Sequence, residues 1–262
     1  MQLEIITHHP EERTHKTPLL FVHGAWHGAW CWEEHLLPYA ASLGWQAHAL
    51  SLRGHAGSPT DRPIWQQRVH HYVEDVLAVV ASLERTPVLV GHSMGGFVVQ
   101  HTLTRIDAPA AVLFGSAPPW GIIHYLLRWA AADPWGFAKT SLFLNNSYLV
   151  ETPEQTRRIF HRPDDPLEWA AAHHSRLSPE SMLATLDLCA LQLVPAQKVN
   201  TPLFVIGGGA DTIFPPGTTG LIADRCGADC VILPGVPHDI MLDRDWQRAA
   251  DAMLTWLAAH GL

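Results

Sequence analysis

Residues 87–90 form a short apolar run that passes without a linker into Gly91-His92-Ser93-Met94-Gly95-Gly96, and a helical pattern follows over 96–105. A strand that turns directly into a helix leaves little room at the turn. Side chains two before and two after the central residue would collide there, so glycine is required at Gly91 and Gly95, and Ser93 takes a strained backbone. The strain pushes Ser93 outward at the head of the helix. Its hydroxyl is thereby exposed, and the N–H of Met94 is aimed at negative charge developing nearby. G-x-S-x-G is common by chance; the flanking strand and helix are what make Ser93 a candidate nucleophile.

The rest of the chain repeats this alternation. Short apolar runs at 19–22, 45–52, 87–90, 110–114, 203–206 and 231–233 read as strands buried on both faces. Helix-length segments at 32–43, 72–83, 96–105 and 217–226 lie between them, and Trp246, Ala250, Met253, Leu254 and Leu257 give a closing helix. The fold class expected is α/β, a mostly parallel sheet flanked by helices.

The alternation breaks over 118–199, where helix starts follow one another: Thr152-Pro153 with Gln155 completing a capping box, Asp165-Pro166 and Ser178-Pro179. Leu183, Leu186, Ala190 and Leu191 form an apolar stripe that is expected to bury. The division expected is a core of 1–117 and 200–262 carrying a helical cap at 118–199.

Composition narrows the function. With 47% hydrophobic and 16% charged residues the chain is not disordered, and a net charge of −8 lacks the basic footprint needed for nucleic acid or an anionic membrane. A small neutral or weakly charged ligand fits better. Residues 1–16 have no apolar signal-peptide core, so a cytoplasmic location is expected. Cys31, Cys189, Cys226 and Cys230 are read as reduced, buried thiols, and the scattered 18 histidines give no metal-ligand spacing, so no metal is expected.

A serine alcohol is a weak nucleophile and needs a base, with an acid to hold that base in the right tautomer. Asp211 follows the 203–206 strand in Gly207-Gly208-Gly209-Ala210-Asp211, and His238 follows the 231–233 strand in Pro234-Gly235-Val236-Pro237-His238. The order Ser93, Asp211, His238, each just past a strand's carboxyl end, puts three complementary side chains on one sheet edge. Asp239 is a rival acid, badly placed as the neighbour of His238. The turn His23-Gly24-Ala25-Trp26 is expected to aim the Ala25 N–H at the same point as that of Met94, with His23 propping the loop by a hydrogen bond. Trp26, His27 and Trp30 are candidate pocket walls, as are Trp120, Tyr125 and Trp129 among the aromatics of the early insertion, together with Leu126, Trp135 and Phe137.

Together these residues resemble the α/β-hydrolase fold family: the His23-Gly24 loop, the Leu52-Arg53-Gly54-His55 turn, the elbow at Ser93, a late acid and a histidine before the last helix. The 23–32 stretch looks like the plant esterase and hydroxynitrile-lyase branch, and the elbow and residues 177–188 look like bacterial lysophospholipase-like or carboxylesterase hydrolases. Ser51 departs from the pattern, since many members carry an aspartate there, usually structural. The resemblance implies a Ser93–Asp211–His238 triad, an oxyanion hole from Ala25 and Met94, and a helical cap. It implies a serine hydrolase acting on a small carboxylic ester, thioester or lactone, and the aromatic, apolar early insertion suggests a hydrophobic acyl or aryl group. No cofactor is expected, and the chain is expected to act as a monomer or homodimer. The same fold also serves a cofactor-free perhydrolase, a hydroxynitrile lyase with a pocket lysine (Lys16, Lys139 and Lys198 being the chain's lysines), and a small-molecule receptor without turnover.

Overall fold

The computed structural model describes residues 2–143 and 146–262. Among these, seven strands form one sheet: β1 (Ile5–His8), β2 (Leu19–Val22), β3 (Ala47–Leu50), β4 (Val88–His92), β5 (Ala111–Phe114), β6 (Leu203–Gly208) and β7 (Asp229–Leu233). Their spatial order is β1-β3-β2-β4-β5-β6-β7, and every pairing is parallel except that of β1 with β3. Helices α1 (Trp30–Glu33), α2 (Leu36–Ser42), α3 (Val69–Ser82) and α4 (Met94–Thr102) connect the early strands. Between β5 and β6 come α5 (Ile123–Ala132), α6 (Pro134–Phe143), α7 (Pro153–Phe160), α8 (Leu167–His174) and α9 (Met182–Leu186); α10 (Pro216–Cys226) and α11 (Trp246–Ala259) complete the chain.

The central strands are apolar on both faces because helices cover both. Leu19 and Phe21 pack into a core with Trp32, Leu37, Met253 and Leu257 from α1, α2 and α11. Leu20 and Val22, pointing the other way, pack with Val76, Phe97 and Ile222 from α3, α4 and α10. From β2 the chain passes to β3 on one side, and then crosses to β4 on the other. The connections diverge between β2 and β4, which opens a crevice at the strands' carboxyl ends, where α/β sheets bind ligands. The loops after β2 and β4 are those of Ala25 and Ser93.

The structure corrects several sequence expectations. Residues 5–8 form an antiparallel edge strand, unforeseen because its residues are only partly buried and read as polar alternation. The helix expected over 32–43 is two helices, interrupted at Glu34 and His35, because Pro38 has no N–H to give the carbonyl of Glu34 and its ring would strike it. Thr152 and Gln155 do form the capping box of α7. Asp165 instead accepts from the Arg162 N–H at 2.9 Å and α8 starts after Pro166. Ser178-Pro179 starts no helix: the Ser178 N–H donates to Trp26 O (2.7 Å), and α9 starts three residues on, capped by Ser181. The stripe is not buried. Leu186, on α9 ahead of the turn, and Leu191 are 42% and 63% exposed; a π-turn over Asp187–Leu191 adds a residue there, and Leu188 and Cys189 are buried instead. Asp187 sits at that turn, taking the Arg68 side chain and the Val69 N–H. Cys31 and Cys189 are buried thiols, but Cys226 is half-buried and Cys230, on edge strand β7, is exposed.

Candidate active site

Ser93 sits between β4 and α4 with φ +52° and ψ −119°, a conformation bulky residues avoid and which costs on the order of 1–3 kcal/mol. The crowding expected of the turn is present. A Cβ on Gly91 would lie 2.6 Å from Gly95 O, and one on Gly95 would lie 2.3 Å from His23 O and 2.4 Å from Val22 O. These neighbours are backbone and cannot turn aside. Gly95→Ala is therefore expected to destabilise the fold by about 1–3 kcal/mol, read as a Tm lowered by roughly 2–4 °C per kcal/mol in a chain of this size; an unchanged Tm would contradict the crowding.

Asp211 and His238 meet as expected. The Asp211 Oδ1 accepts from the N–H groups of Ile213 (2.8 Å) and Phe214 (2.9 Å), which fixes the carboxylate, and Oδ2 accepts from His238 Nδ1 at 2.7 Å. With Nδ1 donating, Nε2 carries the lone pair. Both side chains are 1% exposed. The loop after β5 ties this pair to Ser93. The Ser93 N–H donates to Phe114 O and its carbonyl accepts from the Ala117 N–H (both 3.0 Å), while a Cβ on intervening Gly115 would lie 3.4 Å from Asp211 Oδ2 and 3.5 Å from His238 Nδ1. His92 closes the same corner from the other side, donating from Nε2 to His238 O at 3.0 Å. Burial and the nearby His238 push the His92 pKa down to about 3, so its ring is neutral.

The loop after β2 lies against the elbow: a Cβ on Gly24 would be 3.0 Å from the Ser93 Cβ. His23 props this loop, accepting the Leu52 N–H at Nε2 (3.0 Å) and donating from Nδ1 to Gly24 O (2.7 Å). Burial and the neighbouring histidines hold the His23 pKa well below its usual value, in keeping with one donor and one acceptor nitrogen. In a planar trans peptide C=O and N–H point oppositely, so the bond from His23 to Gly24 O orients the Ala25 N–H. Among the described residues that N–H has no backbone acceptor. Met94 is the first residue of α4, and its N–H has no intrahelical acceptor.

Two buried ion pairs behind this loop escaped the sequence reading. His27 Nδ1 donates to Ala25 O (2.8 Å) and its Nε2 to Asp239 Oδ2 (3.0 Å). His55 donates from Nε2 to Glu180 Oε2 (3.0 Å), and Glu180 also accepts from Tyr72 Oη (2.9 Å) and, at 3.4 Å, from the Trp26 N–H. Burial opposes charge on both rings, but the carboxylates and the hydrogen bonds outweigh it and raise both pKa values. Burial works against the Asp239 charge too, and His27 holds that carboxyl below the usual range. Asp239 is thus no rival to Asp211; its partner is His27.

The candidate pocket aromatics divide. The Trp26 ring lies 5.9 Å from Phe160. Tyr125 meets Phe214 edge-on at 5.1 Å and hydrogen-bonds Thr218. Phe160 and Phe214, neither singled out in the sequence, flank the His238 ring at 6.2 and 5.7 Å. Trp120 faces Arg225 and Trp129 faces Phe137, while the Trp135 side chain is 80% exposed. Trp30 is packed between His27 and His173 under Arg176.

The family model of the alpha/beta hydrolase family matches residues 19–252, from β2 into the last helix. The chain belongs to that family. Similar curated proteins include a carbendazim hydrolyzing esterase from Nocardioides sp., 34% identical over 86% of this chain and 93% of the relative. Methylesterase 18 of Arabidopsis thaliana is 37% identical over 75% and 80% of the two chains. In structure the chain resembles a carboxylesterase of Nitrososphaera gargenis (TM-score 0.75, 14% identity, 99% and 95% of the two chains covered) and shares that fold. This alpha/beta hydrolase is of the esterase and lipase type. None of its described helices is long and apolar enough to cross a membrane.

Proposed function

We propose that the chain is a serine hydrolase that cleaves a small carboxylic ester with a hydrophobic acyl or aryl group through an acyl-enzyme. The observation that carries this reading is the Asp211–His238 hydrogen bond of 2.7 Å, whose carboxylate is fixed by two amides, beside a serine in the strained elbow conformation. Ser93 Oγ attacks the carbonyl carbon as His238 Nε2 takes its proton; Asp211 stabilises the imidazolium. The tetrahedral oxygen receives the N–H groups of Ala25 and Met94, each worth on the order of 10²–10³ in rate. His238 then returns the proton to the leaving alcohol, and water, activated by the same ring, releases the acid and restores Ser93 Oγ.

Phe160 and Phe214 beside His238, with Trp26 and Tyr125 packed on them, favour an apolar acyl or aryl group. Phe160 ends α7, so the 118–199 segment would act as a cap that contributes to the pocket wall. A cyanohydrin lyase would call for a pocket lysine, and Lys139 of the 118–199 segment pairs with Glu151.

A fluorophosphonate probe tests the reading. The expected result is one adduct, carried by the Ser93 peptide, with ester turnover lost in proportion to labelling. An adduct elsewhere, or turnover surviving complete labelling, would overturn it. Aryl and medium acyl esters should be turned over faster than short charged esters, and equal rates would remove the apolar pocket.

A further inference from the structure

Two planar peptides meet at the Cα of Ala25, and the aim of its N–H is fixed only if both are held. The first, Gly24–Ala25, is held through its oxygen by His23. The second, Ala25–Trp26, is held through its oxygen by His27 Nδ1 at 2.8 Å and, more loosely, through its N–H by Glu180 at 3.4 Å. Trp26 stands at φ +65°, a conformation a tryptophan keeps only under constraint. The other nitrogen of His27 meets Asp239 Oδ2 at 3.0 Å, with both side chains 1% exposed. Both partners of the ring are acceptors, so both nitrogens carry hydrogen and an imidazolium faces a carboxylate. Asp239 directly follows His238 in the chain, so one pair ties the loop of the base to the loop of the oxyanion donor, 212 residues away.

We propose that His27 and Asp239 are positioning residues: the imidazolium, anchored on Asp239, sets the Ala25–Trp26 peptide so that the Ala25 N–H meets the oxyanion formed on Ser93. This rests on the serine-hydrolase reading above. Fold stability alone is a poor account of the pair, since buried ion pairs replaced by apolar groups of similar volume often leave a protein as stable or more so. The geometry accounts for it differently, because only a ring with two donors spans from Ala25 O to Asp239. Around the pair lie His92, with Nε2 3.9 Å from Asp239 Oδ1, and His55 and His161, with the rings of Trp30 and Phe160 closing the space and His173 beyond Trp30 and His161. The hold on Ala25 O is complete at low pH. It is lost as pH rises through the elevated pKa of His27, when the ring keeps one donor for two acceptors.

The test is ester kinetics across pH for wild type, S93A, H27Q and the double variant H27N/D239N, with Tm as a check on folding. Glutamine puts its amide nitrogen near the Nε2 position, which reaches residue 239 and not Ala25 O. Asparagine puts it near Nδ1, which reaches Ala25 O, and D239N removes the charge left unpaired. H27Q is expected to lower kcat by on the order of 10²-fold, as for loss of one oxyanion donor, with KM nearly unchanged. The double variant is expected to recover most of kcat and to lack the alkaline fall in kcat that wild type shows as His27 loses its proton. If H27Q does not fold, the double variant's kcat and pH profile decide. Wild-type kcat in H27Q, or an alkaline fall identical in wild type and double variant, would overturn the proposal while inactive S93A left the serine reading standing; active S93A would overturn that reading itself.

Discussion

Ser93→Ala should lower kcat for any ester the enzyme turns over by on the order of 10⁶-fold, the scale on which removal of a serine nucleophile acts when base and acid remain. KM should hardly move, because the rings beside His238 and the N–H groups of Ala25 and Met94 are untouched. Stability should not fall either. Ser93 is half-buried at φ +52°, its backbone bonds run to Phe114 and Ala117, and the hydroxyl is not needed for them. Thermal melting together with single-turnover kinetics checks this. A Tm as in wild type with a collapsed kcat is expected; a kcat within tenfold of wild type would remove Ser93 from the chemistry.

Asp211→Asn is expected to cost on the order of 10⁴-fold in kcat, the scale known for a triad aspartate changed to its amide. The two N–H groups of Ile213 and Phe214 decide which way the new amide sits. They require an acceptor, so the asparagine carbonyl takes the place of Oδ1 and its NH₂ faces His238 Nδ1. That nitrogen must then accept, which moves the ring proton to Nε2, and the lone pair that should take the proton of Ser93 is gone. The defect lies in the tautomer rather than in the packing. Asp211→Asn should therefore keep its fold and still bind substrate, which a wild-type KM and near-ultraviolet dichroism would show. Retention of more than a tenth of the wild-type kcat would mean that the amides do not orient residue 211 in this way.

What was legible in the sequence was local. The elbow at Ser93 declares itself within six residues, because strand, glycines and helix are contiguous, and Asp211 and His238 were readable because each follows a strand at a glycine-rich turn. Phe160 and Phe214 were not, since nothing in an isolated phenylalanine says which ring it will flank. The partnership of His27 with Asp239 is the clearest case: sequence neighbours made Asp239 a weak competitor for His238, whereas its partner waits on another loop. Pro38 does carry a signal, because a proline inside an expected helix marks a break. The exposed stripe of α9 had no such mark; Asp187, at the π-turn that follows, is held by Arg68 and the Val69 N–H, which is a tertiary matter.

Edge strand β1 looks peripheral, yet Glu4 just before it accepts from Ser51 Oγ and from the Gly57 N–H, while its own N–H is bound by Ser58. A carboxylate is thus supplied to Ser51 from the neighbouring edge of the sheet, and it braces the bend on which His55 stands. Losing Glu4 would therefore act as a slow poison: it would leave the reacting groups intact and loosen the floor beneath them.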